Sequence, residues 1–132
     1  MTLALADTSV WARRSQPWVG RLLSQTVAAN ELAVSLPIVL ELLWSARDAD
    51  ELREDGALYD SLVRLDVTPD VGARAREVQA ALAERGHHRG PSPTDLIAAA
   101  AAELAGAELW HCDRHFELIG QLTGQAMRKV GR

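Results

Sequence analysis

SPTDLIAAAAAELAGAELWHCD, residues 92–113, reads as one complete helix-then-strand unit, and its punctuation decides the fold. Ser92-Pro93 opens a helix with proline at the first helical position, and Ser92-x-x-Asp95 fits the capping-box pattern. The helix runs from Pro93 to Ala105, and Gly106 supplies its C-cap. The alanine run Ala98 to Ala102 presents small side chains that let a helix lie close against a sheet. Leu109 to Cys112 is then a short apolar strand, and it ends on an acid, Asp113.

The same alternation extends toward both ends of the chain. Leu3 to Ala6 reads as a buried first strand, again ending on an acid, Asp7. Ser15-Gln16-Pro17 opens a helix with Trp18, Leu22, Leu23 and Val27 on one stripe. Leu32 to Leu36 reads as a second strand, and Pro37 starts a helix carrying Ile38, Glu41, Leu42 and Ser45. A helical segment from about Asp50 to Leu65 and a short strand Leu65-Asp66-Val67 follow. Thr68-Pro69 caps the next helix, which Gly86 ends, and His87 to Pro91 form a loop. After Asp113, Phe116 to Leu122 read as a short helix and Gln125 to Val130 as an edge strand. This β-α alternation predicts an α/β fold: a three-layer α/β/α sandwich on a parallel, about five-stranded sheet, with residues 1–132 as a single domain. Such sheets bind ligands beyond their C-terminal strand ends, where the strand order reverses. Asp7 and Asp113 both fall at such ends.

Composition bounds the function classes. The chain has 132 residues, 48% hydrophobic and 24% charged, with a net charge of −4, which disfavours a protein whose main task is to coat nucleic acid. Thirteen of the fourteen basic residues are arginine, the exception being Lys129, a bias that GC-rich coding alone can produce. Asp48, Asp50, Glu51, Glu54, Asp55 and Asp60 read as a solvated helix face. The single cysteine, Cys112, excludes an intramolecular disulfide. With no membrane-length apolar run and no signal-peptide pattern, the expected location is the cytoplasm.

Four acids stand where this fold would deliver them to one pocket: Asp7, Glu41, Asp95 and Asp113. Three of them have a plain structural explanation. Asp7, followed by Thr8-Ser9, fits an Asx-turn or helix cap; Asp95 completes a capping box; Asp113 can cap the next helix. Glu41 lies among Ile38, Val39, Leu40, Leu42 and Leu43, where an acid is costly to bury unless it is paired or bound to a cation. Gathered carboxylates repel one another, and hard divalent ions relieve that repulsion. Histidines offer a competing site, because His111, Asp113 and His115 alternate, although His115 falls beyond the expected strand end. Trp11, Trp18, Trp44 and Trp110 read as core or subunit-interface residues, and Trp11, near Asp7, is a candidate to stack on a base.

The set Asp7-Thr8-Ser9, Val39-Leu40-Glu41-Leu42-Leu43, Asp95-Leu96-Ile97-Ala98-Ala99 and Cys112-Asp113-Arg114-His115-Phe116 resembles the PIN-domain ribonucleases, in particular the VapC toxins of toxin–antitoxin pairs. The resemblance covers essentially the whole chain. It implies a metal-dependent endoribonuclease in which Asp7, Glu41, Asp95 and Asp113 hold one or two Mg²⁺ or Mn²⁺ ions, with Thr8 or Ser9 supporting the pocket. It also implies an RNA substrate, a VapB-type antitoxin and a homodimer. One departure is local: many members carry a further acid two residues after the position of Asp113, and here that residue is His115. A second ion would then be held weakly or arrive with the RNA phosphate.

Hydrolysis by an activated water would leave 5′-phosphate and 3′-hydroxyl ends, with RNA preference arising from shape and contacts. Arg13, Arg14, Arg85, Arg89 and Arg114 are the candidate phosphate contacts. Two rival readings use the same residues. A phosphatase with Asp7 as covalent nucleophile expects an acid where Ser9 stands and a downstream lysine, yet Lys129 lies near the C-terminus. A degenerate PIN domain that only binds would not need all four acids.

Overall fold

The computed structural model describes residues 2–132, and it contains a five-stranded parallel sheet covered by helices on both faces. In chain order the elements are β1 (Ala4–Ala6), α1 (Thr8–Trp11), α2 (Pro17–Ala28), β2 (Leu32–Ser35), α3 (Leu36–Trp44) and α4 (Ala49–Asp60). They continue with β3 (Val63–Leu65), α5 (Pro69–Glu84), α6 (Pro93–Ala105), β4 (Glu108–His111), α7 (Arg114–Thr123) and β5 (Met127–Lys129). Strand order is β3-β2-β1-β4-β5, every neighbour being parallel. The chain therefore builds outward from β1 in one direction, returns, and builds outward in the other. The switch point lies between β1 and β4, as the strand-end acids require. Right-handed crossovers place the helices before β3 on one face and those after it on the other. Consistent with this, α5, α6 and α7 pack together, and α3 packs on α4.

The core explains the alanine run. Ala98 to Ala102 are all buried, so α6 lies flush against the layer beneath it, where Leu5, Leu109, Phe116 and Ile119 are fully enclosed. Gly106 adopts φ 67° at the end of α6 and Gly124 φ 69° at the end of α7, left-handed turns that favour glycine. Gly20 serves a different need. A Cβ there would stand 2.7 Å from the Arg14 carbonyl oxygen, so only glycine lets α2 approach that turn.

Besides shifts of one or two residues at the ends of β1, β2, β4, α7 and β5, boundaries differ from the sequence reading at α3, α4 and β3. The helix after β2 begins at Leu36, not Pro37. The acidic helix ends at Asp60 instead of reaching Leu65, because Val63, Arg64 and Leu65 pair with Ala33, Val34 and Ser35. The third strand is consequently Val63–Leu65, and Asp66 and Val67 lie outside it, exposed. A one-turn helix, α1, also follows directly from Asp7. Among the described residues no helix is long and apolar enough to cross a membrane.

Candidate metal centre

Asp7 is 5% exposed, and its position is fixed twice over. Its backbone N–H donates to the Trp110 carbonyl at 2.9 Å, tying the end of β1 to β4. Its carboxylate Oδ2 accepts from Ser9 N–H at 3.0 Å and from Ser9 Oγ at 2.7 Å. Ser9 Oγ in turn accepts from Cys112 N–H at 2.9 Å. One hydroxyl thus clamps the two strand ends that flank the switch point.

Asp95 closes the capping box of α6. Its Oδ2 accepts from Ser92 N–H at 2.9 Å, and its own N–H donates to Ser92 Oγ at 3.1 Å. Its carboxyl is nevertheless pushed above the ordinary value of 3.8, chiefly by burial. The Ser92 hydrogen bonds oppose the shift, while the negative charges of Asp7 and Asp113 reinforce it. Three carboxylates from three separate segments therefore sense one another. Asp113 caps α7, its Oδ1 accepting from His115 N–H at 2.9 Å. Single oxygen or nitrogen atoms of Asp95, Asp113 and His115 lie within 4.8 Å of one another, a spacing that one cation can bridge.

Glu41 enters from another side. Thr8 Oγ1 donates to Glu41 Oε1 at 2.8 Å, and α3 packs against α6, the helix that carries Asp95. The burial argument for Glu41 does not hold, however, because this residue is exposed. Ile38 is buried and Val39, Leu42 and Leu43 pack half-buried on the core, but the face of the helix near Glu41 is open: Leu36 is exposed by 55%, Leu40 by 58% and Trp44 by 88%. The apolar sequence around Glu41 thus covers a core-facing side and an uncovered side of α3, and the acid stands on the uncovered one, held by a hydroxyl near the water. Its ligand atoms fall outside the tight group of Asp95, Asp113 and His115, as do those of Asp7.

The remaining candidates divide. His111 lies in β4, buried against Phe116, and its Nδ1 accepts from Asp113 N–H at 3.4 Å. Burial lowers its pKa and keeps the ring neutral. His111 and His115 therefore share no extended face, since β4 ends at His111 and His115 sits in the first turn of α7. Trp11 is buried edge-on against Tyr59, with ring centroids 5.5 Å apart, which leaves no face for a base. Arg13 holds the Ser9 and Arg132 carbonyls, each at 2.7 Å, and Arg14 holds that of Trp11 at 2.9 Å. Arg85, Arg89 and Arg114 are exposed. The sequence reading missed the Cys112 N–H contact, which no local pattern announces because it joins residues 103 positions apart.

Residues 4–122 match the PIN domain family. Ribonuclease VapC18 of Mycobacterium tuberculosis is 35% identical over 121 residues, spanning 90% of this chain and 88% of the relative. Ribonuclease VapC21 of the same species is 35% identical over 130 residues, spanning 98% and 94%. In three dimensions the chain resembles the DNA-bound VapBC of Salmonella typhimurium, with a TM-score of 0.78 at 18% identity over 98% of both chains. It also resembles VapBC2 of Rickettsia felis bound to a promoter DNA fragment, with a TM-score of 0.79 at 15% identity, over 98% of this chain and 100% of that one. The chain belongs to the PIN-domain family, among the VapC ribonucleases.

Proposed function

We propose that this chain is a metal-dependent endoribonuclease toxin, neutralised by a small VapB-type antitoxin. The observation that carries the reading is the convergence of Asp7, Asp95 and Asp113 at the β1–β4 switch point. The donor set suits a divalent ion: two carboxylates within bridging distance, a third whose charge helps to raise the proton affinity of Asp95, and a fourth, Glu41, nearby. Asp7, Asp95, Asp113 and Glu41 would hold Mg²⁺ or Mn²⁺. When bound, such an ion supplies Lewis-acid chemistry, acidifying a water and offsetting charge on the phosphodiester oxygens.

The chain's own residues organise the rest. Ser9 keeps the Asp7 carboxylate turned toward the strand ends, and Thr8 holds Glu41 where it can orient a water. The α7 cap fixes Asp113 relative to Asp95. Arg85, Arg89 and Arg114 remain free to meet RNA phosphates, whereas Arg13 acts as an anchor for the C-terminus. Leu36, Leu40 and Trp44 form an exposed apolar line on α3, continued by Val67, that suits a second copy of the chain in a homodimer. The cytoplasm, where RNA and antitoxin are met, is the expected site of action.

The test is cleavage of RNA by the purified chain with Mg²⁺ or Mn²⁺, followed by mapping of the fragment ends. Asp7→Asn should keep the fold and lose cleavage, with 5′-phosphate ends in the parent reaction. Undiminished cleavage by folded Asp7→Asn would refute the assignment of the acids. Co-production with the protein of a neighbouring short reading frame should suppress cleavage, and continued cleavage in the purified complex would refute the antitoxin pairing.

A further inference from the structure

His115 stands two residues after Asp113, at the edge of the acidic group, and its surroundings are those of a ligand rather than a bystander. One of its ring nitrogens belongs to the group whose ligand atoms lie within 4.8 Å of one another, together with Asp95 and Asp113. The ring stands on the first turn of α7, whose cap is Asp113 itself, so backbone geometry sets the spacing between the two side chains. Its Nδ1 edge faces Asp113 Oδ1 at 3.4 Å. That separation is long for a charge-assisted hydrogen bond, and Oδ1 already accepts the His115 backbone N–H at 2.9 Å. The two side chains converge without satisfying each other, the arrangement expected of groups that share a third partner.

The opposite edge of the ring is packed. A Cβ placed on Gly90 would come within 3.4 Å of His115 Cδ2 and 3.1 Å of Leu118 Cδ1. The bare backbone of Gly90 thus lets the loop approach α7 on the Cδ2 side of the ring, away from the Nδ1 edge. The side chain is 38% exposed, which leaves the nitrogen open to an ion entering from solvent.

We infer that His115 is a direct nitrogen ligand of the divalent ion, and that it biases the site toward Mn²⁺ over Mg²⁺; this rests on the metal-dependent reading above. Mg²⁺ takes oxygen donors almost exclusively, whereas imidazole nitrogen favours first-row transition ions. A neutral ligand in place of an acid also leaves the ion's charge less completely offset, so the RNA phosphate is drawn in as a further donor.

The experiment loads the full chain with Mn²⁺ alone and records pulsed electron paramagnetic resonance, which detects ¹⁴N bonded to the ion. The expected result is nitrogen modulation in the parent that disappears in His115→Gln while Mn²⁺ remains bound. Calorimetric titration of His115→Asp with each ion should lower the Mn²⁺ to Mg²⁺ affinity ratio by about tenfold, the scale on which changes around a metal act. Bound Mn²⁺ that is released by Asp95→Asn but shows no nitrogen modulation overturns the His115 assignment and leaves the acidic site standing. Modulation that persists in His115→Gln overturns it as well, as does a parent that binds Mg²⁺ but not Mn²⁺, and failure of the parent to bind either ion overturns both this inference and the metal-dependent reading.

Discussion

Replacing Asp95 with Asn should make the metal-free protein more stable and the metal-bound protein less stable. Asp95 and Asp113 offer ligand atoms within 4.8 Å of each other. Two unit charges at that separation repel by about 3.5 kcal/mol at an effective dielectric of about 20, and by about 0.9 kcal/mol in bulk water. Both groups are part-exposed, so screening favours the lower end, and with Asp7 contributing the relief is about 1–2 kcal/mol. Asn keeps an acceptor for Ser92 N–H, so the capping box survives. In chelator at pH 7 the variant should therefore melt several degrees higher, at about 3–5 °C per kcal/mol. With Mn²⁺ at about a hundred times its Kd the parent gains about 2.7 kcal/mol that the variant forfeits, and the order of melting temperatures reverses. The pH dependence has a definite sign. Folded Asp95 keeps its proton to higher pH than the unfolded chain does, chiefly through burial and further through the charges of Asp7 and Asp113, so the penalty of ionising it is absent below about pH 3.8 and complete above the raised folded value. The advantage of the variant in chelator should accordingly vanish near pH 3.5 and grow as pH rises, and it should shrink in high salt. Differential scanning calorimetry with and without metal reads all of this. A variant less stable than the parent under both conditions would refute the claim that these acids form one electrostatic unit.

Three further outcomes follow from single contacts. Ser9→Ala removes the hydroxyl that bridges the Asp7 carboxylate and Cys112 N–H, and urea unfolding should show a loss of about 2 kcal/mol, largely restored by Ser9→Thr; equal stability of parent and Ser9→Ala would show that the clamp is idle. Gly20→Ala sets a Cβ 2.7 Å from the Arg14 carbonyl oxygen and should cost about 1–3 kcal/mol despite the better helix propensity of alanine, whereas an unchanged melting temperature would mean that α2 can simply shift. Trp44→Glu changes a side chain that is 88% exposed, so it should leave the melting of an isolated chain unchanged while converting a dimer to a monomer in sedimentation, and an unaltered sedimentation coefficient would place the interface elsewhere.

Elements whose caps and periodicity agree were readable from sequence alone. Residues 93–105 carry proline, a capping box, a run of small residues and a terminal glycine, and α6 spans those residues. The third strand was displaced because Val63-Arg64-Leu65 continues the helical spacing of Leu58 and Leu62, and only pairing with β2 converts it to extended backbone. At the candidate site, the positions of Asp7, Asp95 and Asp113 were legible because strand ends and helix starts are marked locally. Glu41 was found through reasoning that the structure overturns: apolar flanks signalled burial, yet Leu40 and Trp44 face outward. A single chain cannot distinguish a core stripe from an uncovered surface, since both obey the same 3.6-residue period. The separate fates of His111 and His115 were equally hidden, because they depend on where β4 yields to α7.

The structural and chemical roles of the acids, which look like rivals in the sequence, depend on each other in three dimensions. A cluster of carboxylates with no cation should spread its side chains into solvent to escape repulsion. Here each of the three is tethered by backbone amides at the start of a helix: Asp7 at α1, Asp95 at α6 and Asp113 at α7. Each such hydrogen bond favours the ionised carboxylate, and the N-terminal end of a helix adds about 0.3–1 kcal/mol where the helix is long enough to carry a dipole, as α6 and α7 are. The opposing repulsion is of similar size, so the caps hold the acids in place and aimed before an ion arrives. Capping therefore does not compete with metal binding as an explanation for these residues. It is the means by which a chain without an ion would hold the proposed ligands ready for one.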